Sequence, residues 1–204
     1  MNKQGGLISK DEIFSLIKKK ELIISPLLDE TQIGQISIDL RVGTDFLTSQ
    51  QGREPYIDAT NDAFNNRPIK SFFTETRRHI GEPFLIHPNQ TILFSSLEYI
   101  KLPNDVFAIL SCRSSFSRLG LSISTIVQPG YCGCLSIEML YSGSSPIKIM
   151  SGTRLLQIRL YKLADSLPYF ETNRKYACQV RPIPSKANED EELLLLREIA
   201  KMYK

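Results

Sequence analysis

The sequence predicts a mainly β protein, an all-β sandwich or barrel, with a helix near each end of the chain. Short apolar segments recur throughout residues 83–163, and Gly or Pro turn signals such as Pro103-Asn104 and Pro129-Gly130 separate them. Regularly spaced short strands with such turns are typical of sandwiches and barrels. The apolar fraction of 42% in a chain of 204 residues is enough for one core, so we predict a single main domain.

The first predicted element is a helix whose start can be located in the sequence. Ser9 followed by Glu12 forms a capping box, and Ile8 and Ile13 occupy the two positions of a hydrophobic staple. We therefore expect a helix that begins next to Ser9 and buries the face that carries Ile13.

The hydrophobic period changes to two after Ser25-Pro26. In the segment QISIDLRVG, residues 35–43, apolar and polar side chains alternate, which predicts a strand with one wet face. Similar apolar runs predict further strands in the segments PFLI, TILFSS, VFAILS, LSIS, CLSIEMLYS, PIKIM and LLQIRLYKL.

Two segments depart from this pattern. Residues 56–78 are polar and are interrupted by asparagines and Pro68, so we predict a long loop or insertion. Residues 188–204 are acidic and then leucine-rich, which predicts a C-terminal helix that docks onto the body or a neighbouring subunit. We accordingly divide the chain into one domain, residues 1–187, and a helical extension, residues 188–204.

Composition narrows the class of protein and its compartment. The net charge of +3 is too small to indicate a nucleic-acid partner by itself. No apolar run is long enough to span a membrane, and the N-terminus lacks the apolar core of a signal peptide. The four cysteines have no disulfide-scaffold spacing. We therefore expect a cytoplasmic protein with reduced thiols and no membrane partner.

The acid Glu138 lies on an otherwise apolar strand. Leu135 and Ile137 share one face of this strand, while Glu138 and Leu140 share the other, so neither face is simply polar. We expect the strand to direct Glu138 towards the interior, where an unpaired charge is costly. Such an acid is either a general base made reactive by desolvation or one half of a structural ion pair.

A cluster of arginines and hydroxyls precedes this strand. Arg113, Ser114, Ser115 and Arg118 offer forked and short donors that suit phosphate oxygens. The alternative is structural, with Arg118 pairing with a carboxylate at a subunit interface. The pattern alone leaves both interpretations open.

The chain lacks the residues that a zinc deaminase and a serine hydrolase require. Zinc deaminases use a His-x-Glu segment and a Pro-Cys-x-x-Cys segment, whereas here the thiols stand as Cys132-Gly133-Cys134 and neither histidine precedes the required glutamate. Ser114 and Ser115 lack the GxSxG elbow of a serine hydrolase. We predict no protein-ligated zinc and no serine nucleophile.

The segments RSSFSRLGLSIS and QPGYCGCLSIEMLYSGSSPIKIMSGTRLLQI resemble the trimeric dCTP deaminase and dUTPase superfamily, in particular its deaminase branch. The similarity extends to ISIDLRVG, FLIHPNQTILFSSLEYIKLP and KYACQ. This resemblance implies a distorted β-barrel or jelly-roll subunit and a homotrimer, or a hexamer, with active sites between subunits. It also implies metal-free hydrolytic deamination of dCTP to dUTP and ammonia, with Mg²⁺ accompanying the triphosphate.

The resemblance also implies roles for individual residues. Glu138 matches the general base that activates water, and Arg118 and Ser114 match the side chains that orient this water and the carboxylate. The residues that match nucleotide-binding positions are Arg113, Ser115, Gln128, Gln157, Tyr169, Lys175 and Gln179.

Gln128 leaves alternatives open. The dUTP pyrophosphatase branch has an aspartate before the Pro-Gly turn and a glycine-rich C-terminal motif, and this chain has neither, which favours deamination over a pyrophosphatase or a bifunctional enzyme. Typical dCTP deaminases also carry an acid at the position of Gln128, and their preceding loop is longer. The remaining alternatives are another cytosine nucleotide as substrate and a nucleotide-binding or regulatory protein without turnover.

Overall fold

The protein is mainly β, as predicted, with a helix near each end of the described chain. The computed structural model describes residues 5–50, 56–60, 68–167, 169–171 and 174–203. The helices within these ranges are α1 (Lys10–Lys18), α2 (Ser114–Ser117) and α3 (Glu192–Met202). The strands within them are β1 (Gly6–Leu7), β2 (Ile23–Ser25), β3 (Ile38–Ser49), β4 (Phe73–Arg77), β5 (Pro83–Ile86), β6 (Gln90–Lys101), β7 (Val106–Cys112), β8 (Leu121–Ser122), β9 (Thr125–Val127), β10 (Cys132–Tyr141), β11 (Ile147–Met150) and β12 (Arg154–Lys162).

One large antiparallel sheet forms the body. Its strand order is β8-β10-β6-β3-β12-β7-β9, with β1, β2 and β4 pairing at its sides, and β5 and β11 form a separate pair. Strands β9 and β10 are distant in this order, yet the Thr125 hydroxyl of β9 lies 3.3 Å from a carboxylate oxygen of Glu138 on β10. The sheet therefore curls back on itself, which agrees with the predicted distorted barrel.

The inner face of this curl is the hydrophobic core. The ring of Phe46 lies 4.0 Å from that of Phe84 and 6.2 Å from that of Phe94, measured between centroids. Helix α1 covers one side of the core, with Ile13 and Leu16 buried. Large apolar side chains of this kind contribute most of the favourable free energy of folding.

The start of α1 lies where the sequence predicts it, although its capping differs. Ser9 is the N-cap residue in an extended conformation, and Ile8 and Ile13 are both buried, as the staple requires. The Ser9 side chain makes no capping hydrogen bond, so the predicted capping box is not formed. Apolar contacts therefore position this helix more than the polar cap does.

The prediction of a loop over residues 56–78 is wrong for its second half. Residues 61–67 lie outside the described ranges, but Ile69–Phe72 form a 3-10 turn and Phe73–Arg77 form β4. Strand β4 pairs with β3 from Phe73↔Ser49 to Arg77↔Asp45. Its sequence FTETR is mostly polar because it lies at the side of the sheet, and such a strand lacks the apolar signal that predicted the others.

The C-terminal helix α3 has no buried residue within the chain. Leu194, Leu195 and Leu196 are each at least half exposed, and Arg197 donates a hydrogen bond to the carbonyl oxygen of Thr60 at 2.8 Å. The apolar side chains of α3 thus stay uncovered by the described body. The alternative that α3 docks onto a neighbouring subunit stays a prediction.

A buried acid, Glu98 on β6, joins the 3-10 turn at Glu30–Gln32 to β3. Its side chain is fully buried, and it accepts hydrogen bonds from Gln32 Nε2 at 3.0 Å and from the Arg41 N–H at 2.9 Å. Burial raises the pKa of Glu98 above 4.5, although these hydrogen bonds act in the opposite direction. The acid is therefore a structural hydrogen-bond acceptor whose ionisation is disfavoured.

Replacing Glu98 by alanine is expected to destabilise the protein by at least about 1–3 kcal/mol, because the Arg41 N–H loses its buried acceptor. Glu98→Gln keeps one acceptor and is expected to cost less. Since the pKa of Glu98 is raised, the folded state holds its proton more strongly, and its contribution to stability falls as the pH rises above 4.5. Urea unfolding at a series of pH values above 4.5 should show that Glu98→Gln becomes more stable relative to the parent protein as the pH increases. A constant difference would contradict this assignment.

Candidate active site

Five of the residues predicted to act on a nucleotide line one cavity, which we call the Glu138 cavity. It has a volume of about 650 Å³ and contains Glu138, Gln128, Tyr169, Lys175 and Gln179 in its lining. A cavity of this size is typical of small-molecule sites, which range over roughly 300–1,000 Å³. Strands β9 and β10 form one side of it, and the tail after β12 forms the other.

Glu138 is exposed to this cavity and is not buried in the core. The burial pattern of β10 alternates, so that Ile137 and Met139 face the core while Glu138 and Leu140 face outward. The prediction that the strand directs Glu138 inward is therefore wrong for the single chain. The one side-chain hydrogen bond that Glu138 accepts among the described residues comes from Thr125 at 3.3 Å, so its carboxylate is available to a ligand.

Aromatic side chains form the inner part of the Glu138 cavity. Tyr169 is buried and packs edge-on against Tyr131 at 5.8 Å between centroids. The guanidinium of Arg174 lies 4.6 Å from the Tyr169 ring centroid, and its Nε donates to the Tyr169 carbonyl at 3.1 Å. Burial raises the pKa of both tyrosines, so their hydroxyls remain neutral hydrogen-bonding groups.

The tail contributes a buried amide without a partner. Gln179 is 5% exposed, and neither the nitrogen nor the oxygen of its side chain finds a hydrogen-bond partner in the described part of the chain. Because an unpaired buried amide is costly, its position in the cavity wall suits a group that pairs with a ligand. Lys175, by contrast, forms an ion pair with Asp190.

The other five predicted residues line a separate cleft, which we call the arginine cleft. It has a volume of about 750 Å³ and contains Arg113, Ser114, Ser115, Arg118 and Gln157 in its lining. The short helix α2 begins two residues after the end of β7 and exposes its three serines, Ser114, Ser115 and Ser117, to solvent. The cleft is thus a cationic surface with several hydroxyl donors.

A hydrogen-bonded network organises the floor of the arginine cleft. Arg113 Nε lies 3.2 Å from Asp39 Oδ2, and Gln157 Nε2 lies 3.5 Å from Asp39 Oδ1. Arg159 Nη2 donates to Gln157 Oε1 at 2.6 Å. Asp39 therefore holds Arg113 in place and neutralises part of its charge.

Arg118 differs from Arg113 because it has no ion-pair partner in the described ranges. Its side chain is exposed at the end of α2, and it lines the arginine cleft and not the Glu138 cavity. Within one chain, the structure thus does not bring Arg118 and Ser114 together with Glu138. The ten predicted residues divide into two equal sets on two surfaces.

Two cationic residues of these surfaces were missed by sequence reasoning. Arg159 lies two positions after Gln157 on β12, so the period of a strand already places both on one face. Arg174 precedes Lys175, but its side chain contacts Tyr169, five residues earlier in the tail. The first could have been found from alternation, whereas the second had no periodic signal.

Metal ligands and membrane spans are not apparent in the described residues. Across these ranges, His, Cys, Asp and Glu form no group of three or more that could hold a metal ion. None of the described helices has the length and apolar character needed to cross a membrane. The predicted lack of a protein-ligated zinc stays a prediction.

Comparison with known proteins places the chain in a family. Residues 7–163 match the family model described as dCTP deaminase-like. A "dCTP deaminase, dUMP-forming" of Methanobrevibacter smithii is 32% identical over 92% of this chain and 98% of its own length. A "dCTP deaminase" of Halorubrum lacusprofundi is 32% identical over 91% of this chain and 93% of its own length. The chain therefore belongs to the dCTP deaminase-like family.

A solved structure shares the fold. The crystal structure of 2'-deoxycytidine 5'-triphosphate deaminase from Agrobacterium tumefaciens superposes with a TM-score of 0.59 at 22% sequence identity. The match covers 78% of this chain and 48% of that protein. The present chain thus spans about half the length of that structure and shares the same β architecture with it.

Proposed function

We propose that the protein deaminates dCTP hydrolytically in a homotrimer, at sites where the Glu138 cavity of one subunit faces the arginine cleft of the next. The observation that carries this proposal is the division of the predicted residues between two surfaces of one chain. The Glu138 cavity has the candidate general base, whereas the arginine cleft has Arg118, Ser114 and Arg113. A cyclic homo-oligomer with head-to-tail contacts joins one surface to the other at every interface.

The chemistry requires a base next to a water molecule and a stabilised tetrahedral intermediate. Glu138 removes a proton from water, and the resulting hydroxide attacks C4 of the cytosine ring. That proton then passes to the amino nitrogen, the remaining hydroxyl proton moves to ring N3, and ammonia leaves as the C–N bond breaks and the C4 carbonyl forms. One dCTP and one water thus give one dUTP and one ammonia. The exposed position of Glu138 on its own subunit leaves room for both reactants.

The neighbouring subunit contributes the donors. Arg118 and Ser114 orient the water and the Glu138 carboxylate and stabilise the charge that develops at the ring. Arg113 and Ser115 bind phosphate oxygens, with Gln157 beside them. Asp39 fixes the guanidinium of Arg113 at 3.2 Å, so that this side chain is already oriented before the nucleotide binds.

The first subunit holds the nucleoside. Tyr169 packs beside the base or sugar, and Lys175 and Gln179 close over the nucleotide from the tail. The unpaired amide of Gln179 gains its missing hydrogen bonds in this complex. Magnesium enters as part of the substrate, bound to the triphosphate oxygens.

The product of the reaction is either dUTP or dUMP, because similar relatives have names that differ on this point. The Methanobrevibacter smithii and Halorubrum lacusprofundi proteins are equally similar to this chain, and only the first is named dUMP-forming. Release of dUMP needs a second hydrolysis at phosphorus. Gln128 stands where the pyrophosphatase branch has an aspartate, and an amide cannot serve as a base. We therefore propose dUTP as the main product and keep dUMP formation as the second candidate.

A substrate panel tests both candidates together. The purified protein is incubated with dCTP, dCMP, CTP or dUTP and magnesium, and ammonia, pyrophosphate and nucleotides are measured by ion exchange. We expect ammonia and dUTP from dCTP, with little pyrophosphate. Equal amounts of ammonia and pyrophosphate would support the dUMP-forming alternative. Thermal stabilisation by dCTP without any product would instead indicate a nucleotide-binding protein.

A further inference from the structure

Two thiols meet where the tail crosses the start of β10. The Sγ atoms of Cys132 and Cys178 lie 3.2 Å apart, and both cysteines are free. Cys178 is exposed and Cys132 is half-buried, so a small oxidant can reach the pair. A disulfide requires an S–S distance of about 2.05 Å, which a side-chain adjustment of roughly 1 Å achieves here.

Backbone contacts hold the start of β10 and the tail together beside these two thiols. The N–H of Cys134 donates to the carbonyl oxygen of Gln179 at 2.7 Å. Gly133 adopts a φ of +145°, and a Cβ added there would lie 2.6 Å from the same oxygen. Glycine therefore permits a close approach that another residue would prevent. The thiols face each other because neighbouring residues fix both chains.

We propose that Cys132 and Cys178 form a reversible disulfide that fastens the tail to β10 beside the Glu138 cavity. A low-molecular-weight disulfide is the oxidant. One protein thiolate attacks it to form a mixed disulfide and releases one small thiol. The second protein thiol then displaces the other, so that two protein thiols and one small disulfide give one protein disulfide and two small thiols.

The other cysteines do not compete for this bond. Cys112 is buried, and burial raises the pKa of its thiol to about 11, so its reactive thiolate is scarce. Cys134 is half-buried, and its thiol likewise has a pKa raised by burial. The pKa of Cys178 is raised as well, chiefly by its hydrogen bond with Cys132, so the exposure of Cys178 and its 3.2 Å distance to Cys132 are what set this pair apart.

The disulfide acts on the segment that closes the cavity. Cys178 lies between Lys175 and Gln179, which both line the Glu138 cavity. Without the bond, the tail can leave β10 by breaking backbone hydrogen bonds and weak contacts. With it, the segment stays beside the cavity, so exchange of ligand is slowed.

The test uses oxidised glutathione followed by dithiothreitol on the full chain. Mass spectrometry should show the loss of two hydrogen atoms, and peptide mapping without reduction should join the Cys132 and Cys178 peptides. Trypsin cleavage after Arg174 and Lys175 should slow about tenfold or more on oxidation and recover on reduction, because a cross-link restrains local opening. These readouts do not depend on catalysis, so they separate this proposal from the proposed function.

Variants decide which thiols take part. Cys132→Ser and Cys178→Ser should each abolish the mass loss and the protection, whereas the matched control Cys134→Ser should keep both. A disulfide between chains, a Cys132–Cys134 link, or an unchanged mass under conditions that oxidise a control dithiol would overturn the proposal. So would a Cys132–Cys178 link that leaves tryptic cleavage unchanged.

Discussion

Replacing Glu138 by glutamine is expected to lower ammonia release from dCTP by about 10²–10⁴-fold, the contribution of a positioned general base. Glutamine keeps the size of the side chain and its outward position on β10 but cannot accept a proton from water. Nucleotide binding should persist, because phosphate contacts come from the arginine cleft. The measurement is steady-state ammonia release together with dCTP-dependent thermal stabilisation.

The matched control for this prediction is Glu21→Gln. Glu21 is an exposed carboxylate that follows α1 and does not line the Glu138 cavity, so its variant should retain parental activity. Ammonia release by Glu138→Gln at the parental rate would remove this residue from its proposed role. Simultaneous loss of binding would mean that the carboxylate holds the nucleotide and does not act as a base.

Replacing Arg118 by alanine is expected to reduce ammonia release by about 10²–10³-fold, as for the loss of one donor that stabilises transition-state charge. Arg118 has no ion-pair partner in the described ranges, so its loss should leave the stability of the folded subunit nearly unchanged. A structural interface arginine would behave differently, since its removal would shift the oligomeric state. Activity and sedimentation velocity are therefore measured on the same sample.

Two further variants separate charge from geometry at this position. Arg118→Lys keeps a positive charge but loses the forked donors, so it should recover only part of the activity. Arg78→Ala removes a half-buried arginine outside both the Glu138 cavity and the arginine cleft and should be as active as the parent. A normal rate with a dissociated oligomer in Arg118→Ala would favour the structural alternative.

The sequence predicted the fold well wherever one face of a strand is apolar. Strands β3, β6, β7, β10 and β12 all overlap segments chosen for their apolar residues. Strand β4 was missed because its FTETR sequence is mostly polar, and its formation depends on pairing with β3. An alternation of apolar residues arises because one face of a strand is buried. A strand whose side chains are little buried therefore lacks this alternation.

The positions of the acids Glu98 and Glu138 show a second limit of prediction from sequence. Glu98 was overlooked, although it lies two positions before Ile100 on the same face of β6 and both are buried. Glu138 was expected inside, yet it faces outward beside Leu140. Alternation tells which residues share a face, but it cannot tell which face covers the core when both carry apolar side chains. Here the outward face also carries a cavity, which explains its mixed character.

The two surfaces of the candidate site could not be separated by sequence alone. Arg118 and Glu138 belong to one continuous stretch of sequence, but the curl of the sheet sends α2 and β10 to different surfaces. The resemblance implies active sites between subunits, and the structure shows which of the predicted residues lie on each of the two surfaces. The same curl brings the tail residues Lys175 and Gln179 next to β10.

The proposed active site joins two incomplete surfaces from different subunits, and mixing the two inactive variants tests this joining directly. Differently tagged Glu138→Gln and Arg118→Ala chains are coexpressed, and oligomers that carry both tags are isolated. Each mixed trimer then has one interface with an intact Glu138 cavity and an intact arginine cleft, so about one third of the sites regain activity. We predict ammonia release from dCTP at roughly this fraction of the parental rate. Mixed trimers as inactive as either variant alone would contradict a site shared between subunits.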